Sequence, residues 1–220
     1  MFFALLVGIF LTALTVGNVL GVTKFVDLKI FVIPVGLLAY PVTFLATDLI
    51  SELYGRKRAQ TVVWIGFAMN FFMLGLVWLG HRLPDASGVS GATSAFEEVY
   101  RFMRPNVIAS MVAYLVAQSV DVQLFHFWKR LTQGRYLWLR NNASTICSQI
   151  VDTVTILSIL YLTGGLGAEI DSPGALLQLM FDSYKFKFVF ALVDTPLFYL
   201  GVYLFKHRVD HELQFAATAA

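Results

Sequence analysis

The chain has 220 residues, of which 58% are hydrophobic and only 14% charged, and its formal net charge at pH 7 is +2. A soluble domain of this length would carry roughly 25% charged residues, and the mean hydropathy here is +0.71. The polar surface is too small for a soluble enzyme or a disordered chain, and a single cysteine excludes a disulfide scaffold. We therefore expect an integral membrane protein with one transmembrane domain over residues 1–220.

Six stretches of the chain are long and apolar enough to cross a bilayer, which takes about 20 mostly apolar residues. They are residues 2–22, 30–50, 61–80, 107–125, 141–162 and 188–205. We interpret the first stretch as a retained span rather than a signal peptide, because no basic region precedes it and no Ala-x-Ala site follows. The expected fold is an all-α bundle of six transmembrane helices.

The distribution of Lys and Arg predicts how the bundle is oriented. The densest basic cluster, residues 56–58, lies between two closely spaced spans, where the positive-inside rule acts most strongly. We therefore expect both termini on the cytoplasmic side (N-in and C-in). Residues 81–106 and 163–187 would then be outer loops, and residues 96–103 would form an amphipathic stretch on the membrane surface.

Acidic residues inside the predicted spans are the most informative feature of the sequence. They are Asp48, Asp121, Asp152 and Asp194. Each would cost about 2.5–3.5 kcal/mol at the bilayer centre, so four facing lipid would cost about 10–14 kcal/mol. We expect them to face one another, a water-filled cavity or a ligand. For Asp48 and Asp121 an alternative is pairing with the basic residues at the inner helix ends.

The fifth span carries a polar stripe. Its members are Asn141, Thr145, Ser148, Asp152 and Thr155. On a helix they lie within about 80° of one another, with Gln149 beside them. The hydroxyl groups could equally serve to join helices within lipid. A carboxylate is costly for that purpose, so Asp152 favours a functional face.

Two other spans carry polar residues on one face. Gln118 and Asp121 are three residues apart in the fourth span, and Asp48 and Glu52 are one turn apart in the second. The second span also contains two prolines, which free backbone carbonyls and are tolerated where a helix lines a cavity. These spans are expected to contribute to the same interior surface as the fifth.

This composition favours a carrier over an enzyme or a channel. The sequence has no Gly-x-Ser-x-Gly or His-Glu-x-x-His motif and no histidine in the middle of a span. A mixture of amides, hydroxyls, carboxylates and aromatic rings suits an organic ligand better than a hydrated ion. We expect no cofactor, no metal ion and no nucleic acid as partner. A scaffold with buried polar groups would instead bind no saturable ligand.

Several sequence blocks resemble a known family. They are NVL at residues 18–20, FLATDLISELYGRKRA at 44–59, LWLR at 137–140 with ST at 144–145, QIVDT at 149–153 and YKFK at 184–187. With these blocks and six spans, the chain resembles the queuosine precursor transporter family. The resemblance implies a six-helix protein of the bacterial inner membrane that imports 7-deazaguanine compounds for tRNA modification. The cargo would be 7-cyano-7-deazaguanine, 7-aminomethyl-7-deazaguanine, queuine or queuosine.

The chemistry of such a ligand suggests roles for the buried polar residues. Its guanine-like edge offers an N–H and an amino group side by side, which a carboxylate accepts with two hydrogen bonds. We expect Asp152 or Glu52 to bind this edge, Gln149 and Asn18 to orient it, and Lys187 to close the outer side. The full expected set is Asn18, Asp48, Glu52, Gln118, Asn142, Gln149, Asp152 and Lys187.

The flat ring of the ligand needs an aromatic platform, for which Tyr40, Phe44 and Phe125 are candidates. The expected partners are the 7-deazapurine substrate, the lipid bilayer and a second copy of the chain in a homodimer. An alternative function is the substrate-binding subunit of an energy-coupling-factor vitamin importer, which would depend on ATPase partners. Uptake by this chain alone would separate the two.

Overall fold

The structure is a computed structural model in which six helices are long and apolar enough to cross a membrane. The residues that it describes are 2–21, 23–30, 32–85, 90–166 and 170–218. The helices are α1 (Phe2–Leu20), α2 (Tyr40–Tyr54), α3 (Arg56–Arg82), α4 (Ser90–Leu131), α5 (Leu137–Leu162) and α6 (Pro173–Thr218). The predicted fold class, an all-α membrane protein with six spans, is confirmed.

A small antiparallel hairpin joins α1 to α2. Its strands are β1 (Phe25–Asp27) and β2 (Val32–Pro34), and a 3-10 turn at Val35–Ala39 leads into α2. We call the end of the bundle with this hairpin the hairpin end. The other end, where the chain reverses at Gly55 and at residues 132–136, is the basic end. Phe2 and Phe205 stack there with ring centroids 3.8 Å apart, so α1 begins beside the end of the sixth span.

Glycine and proline residues lie at two helix boundaries and within two of the helices. Gly55 has a φ of +86°, a conformation that a residue with a Cβ rarely adopts, and it separates α2 from α3 without a longer loop. Pro41 lies in the first turn of α2, where its missing N–H costs nothing. Pro105 and Pro196 lie inside α4 and α6, and each leaves a backbone carbonyl without its helical donor.

The predicted start of the second span is wrong. Residues 30–50 were expected to form one helix, whereas Val32–Pro34 is a strand and α2 begins only at Tyr40. A short apolar run with β-branched residues fits a strand as well as a helix, so periodicity could not decide. Pairing with Phe25–Asp27 satisfies the backbone of this run, which favours the strand.

The two predicted outer loops are also largely wrong. Within residues 81–106, α4 already begins at Ser90, and within 163–187, α6 begins at Pro173. The predicted surface stretch at residues 96–103 is part of α4, and its Tyr100 and Met103 are buried in an apolar cluster. Charged residues lower the hydropathy of these segments, but they do not stop a helix from extending beyond the bilayer.

The main apolar core lies toward the basic end. It joins the first half of α1, the second half of α2, the start of α3 and the later parts of α4 and α6, with Phe10, Ile50, Val62, Phe125 and Phe198 at its centre. Three smaller apolar clusters lie nearer the hairpin end. Buried polar residues lie between these clusters and the main core, and some of them line the candidate site described next.

Candidate functional site

A cavity with a mixed polar and apolar lining, which we call the upper cavity, lies between α1, α4, α5 and α6 beside the hairpin. Its polar lining residues include Asn18, Tyr40, Asn106, Ser110, Ser183 and Lys187. Its volume is about 40 Å³. Pockets for organic ligands usually have about 300–1,000 Å³, so the cavity is tight in this conformation.

A second space, the lower cavity, lies deeper between α1, α2, α4 and α5. Gln118, Asp152, Phe44 and Tyr114 contribute to its lining. Its volume is about 20 Å³, and it shares Gly17, Asn18 and Tyr40 with the upper cavity. The two cavities are therefore neighbouring parts of one polar region.

One wall of the upper cavity is formed where the backbone at Gly36 closely approaches the end of α1. The Gly36 amide donates to the carbonyl of Gly21 at 3.0 Å, and the carbonyl of Gly36 lies against Gly17. A Cβ on Gly36 would collide with the backbone of Gly17 and Gly21. Glycine is therefore required where the turn before α2 crosses the end of α1.

A buried ion pair lies where the two cavities meet. The Lys187 Nζ on α6 donates to Asp152 Oδ2 on α5 at 2.5 Å and to Thr153 Oγ1 at 3.0 Å. The side chains of Lys187 and Asp152 are 2% and 1% exposed. The same ammonium lies 4.5 Å from the centroid of the Tyr40 ring. A pair this deeply buried is retained only when its geometry and hydrogen bonding are good.

Asn18 fixes the α1 side of the cavities. Its Nδ2 donates to Asn70 Oδ1 on α3 at 2.8 Å, and its Oδ1 accepts from Ser110 Oγ on α4 at 2.5 Å. Its backbone carbonyl accepts from Asn106 Nδ2 at 3.1 Å. These bonds join three helices through one residue, so Asn18 is held rigidly at the wall of both cavities.

Two polar atoms on the cavity walls have no hydrogen-bond partner among the residues that the structure describes. They are Gln118 Nε2 in the lower cavity and Ser183 Oγ in the upper cavity. Gln118 is 1% exposed and Ser183 is 3% exposed, so water does not reach them freely. An unpaired buried polar group costs about 1–3 kcal/mol. Both atoms are therefore suited to bind polar groups of a ligand.

The acidic residues Asp48 and Asp121 lie outside both cavities. Thr145 Oγ1 donates to Asp48 Oδ2 at 3.4 Å, and Ser148 Oγ donates to Asp121 Oδ1 at 2.8 Å. Among the described side chains, neither carboxyl group forms an ion pair, so the alternative of pairing with basic residues at the helix ends is wrong. Hydroxyl groups of α5 donate to these carboxyl groups instead.

The inward orientation of the polar stripe on α5 is confirmed for its central members. Thr145, Ser148 and Asp152 are buried, whereas Thr155 is half-buried. The side chain of Asn141 lies outside the described residues. The stripe contacts two different sites, because Asp152 reaches the cavities while Thr145 and Ser148 reach the acidic residues below.

Glu52 forms an ion-pair cluster at the basic end. Its Oε2 accepts from Lys129 Nζ at 3.0 Å and its Oε1 from Arg140 Nη2 at 2.8 Å. The guanidinium of Arg140 also lies 5.5 Å from the centroid of the Phe125 ring. Glu52 and Phe125 line neither cavity. The cluster joins α2, α4 and α5 at the end of the bundle remote from the cavities.

Two predicted amide residues also lie outside the cavities. Asn142 Nδ2 donates to the Trp138 carbonyl at 2.9 Å and to Thr195 Oγ1 at 2.8 Å. Gln149 is buried, and its Oε1 has no hydrogen-bond partner within the described part of the chain, but it lines neither cavity. Of the eight predicted site residues, four come together at the cavities: Asn18, Gln118, Asp152 and Lys187. A role in binding stays a prediction for all eight.

Three polar lining residues were missed by the sequence analysis. Asn106 and Ser183 fall in the stretches that were predicted to be outer loops, and Ser110 lies in the fourth span. A signal was present, because Asn106 and Ser110 are four residues apart, as are Ser183 and Lys187. Once these stretches are treated as helical, that spacing aligns each pair on one face.

Six helices that are long and apolar enough to cross a membrane define a multi-pass α-helical membrane protein. The family model described as "Putative vitamin uptake transporter" matches residues 34–201. The chain belongs to this family. It is therefore a multi-pass bacterial membrane protein, and its family is one of transporters rather than of enzymes.

Curated relatives have matching names. The chain is 30% identical over 186 residues to the "Probable queuosine precursor transporter" of Bacillus subtilis, with 84% of this chain and 78% of that protein covered. It is 28% identical to the "Queuosine precursor transporter" of Escherichia coli, with 57% of this chain covered. For the "Probable queuosine precursor transporter" of Haemophilus influenzae, the identity is 26% and the coverage 72%.

The matched regions make up 54% of the E. coli protein and 63% of the H. influenzae protein. No solved structure matches the chain. The resemblance stated from the sequence blocks is confirmed. None of these three names is that of an energy-coupling-factor subunit, so the comparisons do not favour that alternative.

Proposed function

We propose that this protein transports queuosine precursors and binds their 7-deazaguanine ring at the upper and lower cavities. The observation that carries the proposal is the pair of unpartnered buried groups, Gln118 Nε2 and Ser183 Oγ, beside the carboxylate of Asp152. The names of the relatives supply the ligand class. An unpaired buried polar group costs about 1–3 kcal/mol, and a hydrogen bond to the ligand would offset that cost.

The recognition chemistry follows from the donors and acceptors on the walls. The Asp152 carboxylate accepts the N–H and amino group of the guanine-like edge, a pairing that is stronger than one between neutral groups. Gln118 Nε2 donates to the ring carbonyl. Tyr40 lines both cavities and supplies a flat surface for the ring. Asn18 acts mainly by holding this wall in position.

Entry of the ligand requires a conformational change. A pocket for an organic ligand usually has about 300–1,000 Å³, whereas the upper cavity has about 40 Å³. The Lys187–Asp152 pair joins α5 to α6 directly across this space. We propose that α5 and α6 separate to admit the ring, and that the carboxylate then shares its hydrogen bonds between Lys187 and the ligand.

The direction of transport follows from the predicted N-in and C-in orientation. The hairpin end would then face the outside, and the cavities nearer to it would be loaded from there. The Glu52 cluster would hold the basic end closed during loading. Release to the cytoplasm would require α2, α4 and α5 to part at Glu52, as expected when a carrier exposes its site to the two sides in turn.

Direct binding to the purified full-length protein tests this proposal. Thermal unfolding in detergent is measured with 7-cyano-7-deazaguanine, 7-aminomethyl-7-deazaguanine, queuine, guanine and biotin. We expect stabilisation by at least one 7-deazaguanine compound and none by biotin, because a ligand that binds only the folded state raises Tm. If no deazaguanine shifts Tm, or if biotin alone does, the proposed function is wrong.

A further inference from the structure

The charges lining the two cavities balance each other. Among the described residues, the lining contains one basic side chain, Lys187, and one carboxylate, Asp152. They form an ion pair with each other at 2.5 Å. The remaining polar lining groups are amides, hydroxyls and tyrosines. The cavity wall therefore has no net charge to offer a ligand.

Two of the three N–H donors of Lys187 are already used by the protein. A lysine ammonium has three N–H groups. One binds Asp152 and one binds Thr153 Oγ1 at 3.0 Å, and the charge lies over the ring of Tyr40. An uncharged ligand can share Asp152 with Lys187 and leave this balance intact. A ligand that carries its own ammonium would leave one of the two positive charges without a partner, which is costly at a buried site.

Ser183 indicates what the side group of the ligand must provide. Its unpartnered Oγ lies in the upper cavity, one helical turn before Lys187 on α6. A hydroxyl can donate to an acceptor, and a nitrile nitrogen is such an acceptor. With the guanine-like edge on Asp152 in the lower cavity, the opposite side of the ring extends toward the upper cavity and Ser183.

We infer that the site selects an uncharged 7-deazaguanine with a hydrogen-bond acceptor as its side group, and disfavours compounds with an aliphatic amine. This inference rests on the proposed function and narrows its ligand. Of the four candidate cargoes, 7-cyano-7-deazaguanine is the one without an aliphatic amine. Lys187 is then a specificity-determining residue, because its fixed charge excludes a second cation.

Other buried acids would produce the opposite preference if they acted on the ligand. Asp48 and Asp121 lie below the lower cavity, on the same helices as Thr43 and Gln118 of its wall. Both carboxyl groups accept hydrogen bonds from α5 hydroxyls and line neither cavity. If they attracted the cargo, an ammonium compound would bind more tightly than a nitrile.

Calorimetric titration of the protein distinguishes a preference for the nitrile from a preference for the ammonium compound. The ligands are 7-cyano-7-deazaguanine, 7-aminomethyl-7-deazaguanine and plain 7-deazaguanine, which lacks a side group. We expect the nitrile to bind at least about tenfold more tightly than the ammonium compound, since an unpaired buried charge costs more than one factor of ten. Equal affinities, or tighter binding of the ammonium compound, would overturn the inference while leaving the proposed function standing. Failure of all three to bind would overturn both.

The role of Ser183 is tested with the same ligands. Ser183→Ala should weaken binding of the nitrile by about three- to tenfold, the effect of one hydrogen bond, and leave plain 7-deazaguanine unchanged. Ser158→Ala is the matched control, because Ser158 is a half-buried hydroxyl on α5 that lines neither cavity. A loss that is the same for both ligands, or no loss for the nitrile, would contradict the assignment of Ser183 to the side group.

Discussion

Lys187 on α6 and Asp152 on α5 form a buried ion pair whose Nζ and Oδ2 atoms are 2.5 Å apart. They are 35 residues apart in the chain. Both lie on the walls of polar cavities, and each would be costly in a nonpolar interior without the other. This contact joins α5 directly to α6, the two helices that we propose separate to admit a ligand.

Removing only the lysine should destabilise the protein. In Lys187→Met the Asp152 carboxylate stays buried without its partner, and we expect a loss of about 3–5 kcal/mol. The double variant Asp152→Asn, Lys187→Met removes both charges and should recover most of that loss. Thermal and denaturant unfolding in detergent measure the stability of the single and the double variant. A single variant as stable as the parent protein would show that the pair is not needed.

Removing one partner from the Glu52 cluster at the basic end should also destabilise the protein, but by less. Glu52→Ala leaves the buried Arg140 guanidinium without its carboxylate, and we expect a loss of about 2–3 kcal/mol because Glu52 is partly exposed to solvent. Glu97→Ala is the control, since the His81–Glu97 pair is exposed and should contribute less than about 1 kcal/mol. Equal losses in the two variants would contradict the structural role of the Glu52 cluster.

The turn between α2 and α3 gives a prediction that depends on the backbone alone. Nothing lies within 4 Å of a Cβ added at Gly55 or at Gly75, but only Gly55 has a positive φ. Gly55→Ala should therefore destabilise by about 1–2 kcal/mol. Gly75→Ala, within α3, should stabilise by about 0.5–1 kcal/mol. If the free energy of unfolding changes in the same direction in Gly55→Ala and Gly75→Ala, the backbone at Gly55 differs from the one described.

Hydropathy was sufficient to predict the six spans, because a bilayer imposes one length and one composition on every crossing helix. It failed where these constraints do not apply. The strand at Val32–Pro34 is too short to have a period, and the first turns of α4 carry charges that resemble those of a loop. Both errors hid residues of the upper cavity, including Asn106.

The candidate site was predictable only in part. The spacing on α5 showed that Asp152 faces inward, since one helix determines that by itself. Its partner Lys187, by contrast, is set by how α6 packs against α5, and sequence spacing carries no information on contacts between distant helices. For the same reason Glu52 and Asp152 were treated as equal candidates for the guanine-like edge, although they lie in different parts of the bundle.

Binding of the ligand by the Asp152 carboxylate is tested by titrating 7-cyano-7-deazaguanine into the parent protein and into Asp152→Asn. Asp194→Asn is the matched control, because Asp194 is half-buried and lines neither cavity. Circular dichroism confirms that each variant is folded. We predict that affinity falls at least about 30-fold in Asp152→Asn, since a charge-assisted bidentate contact is lost, and stays within about twofold in Asp194→Asn. Unchanged affinity in a folded Asp152→Asn protein would contradict the account.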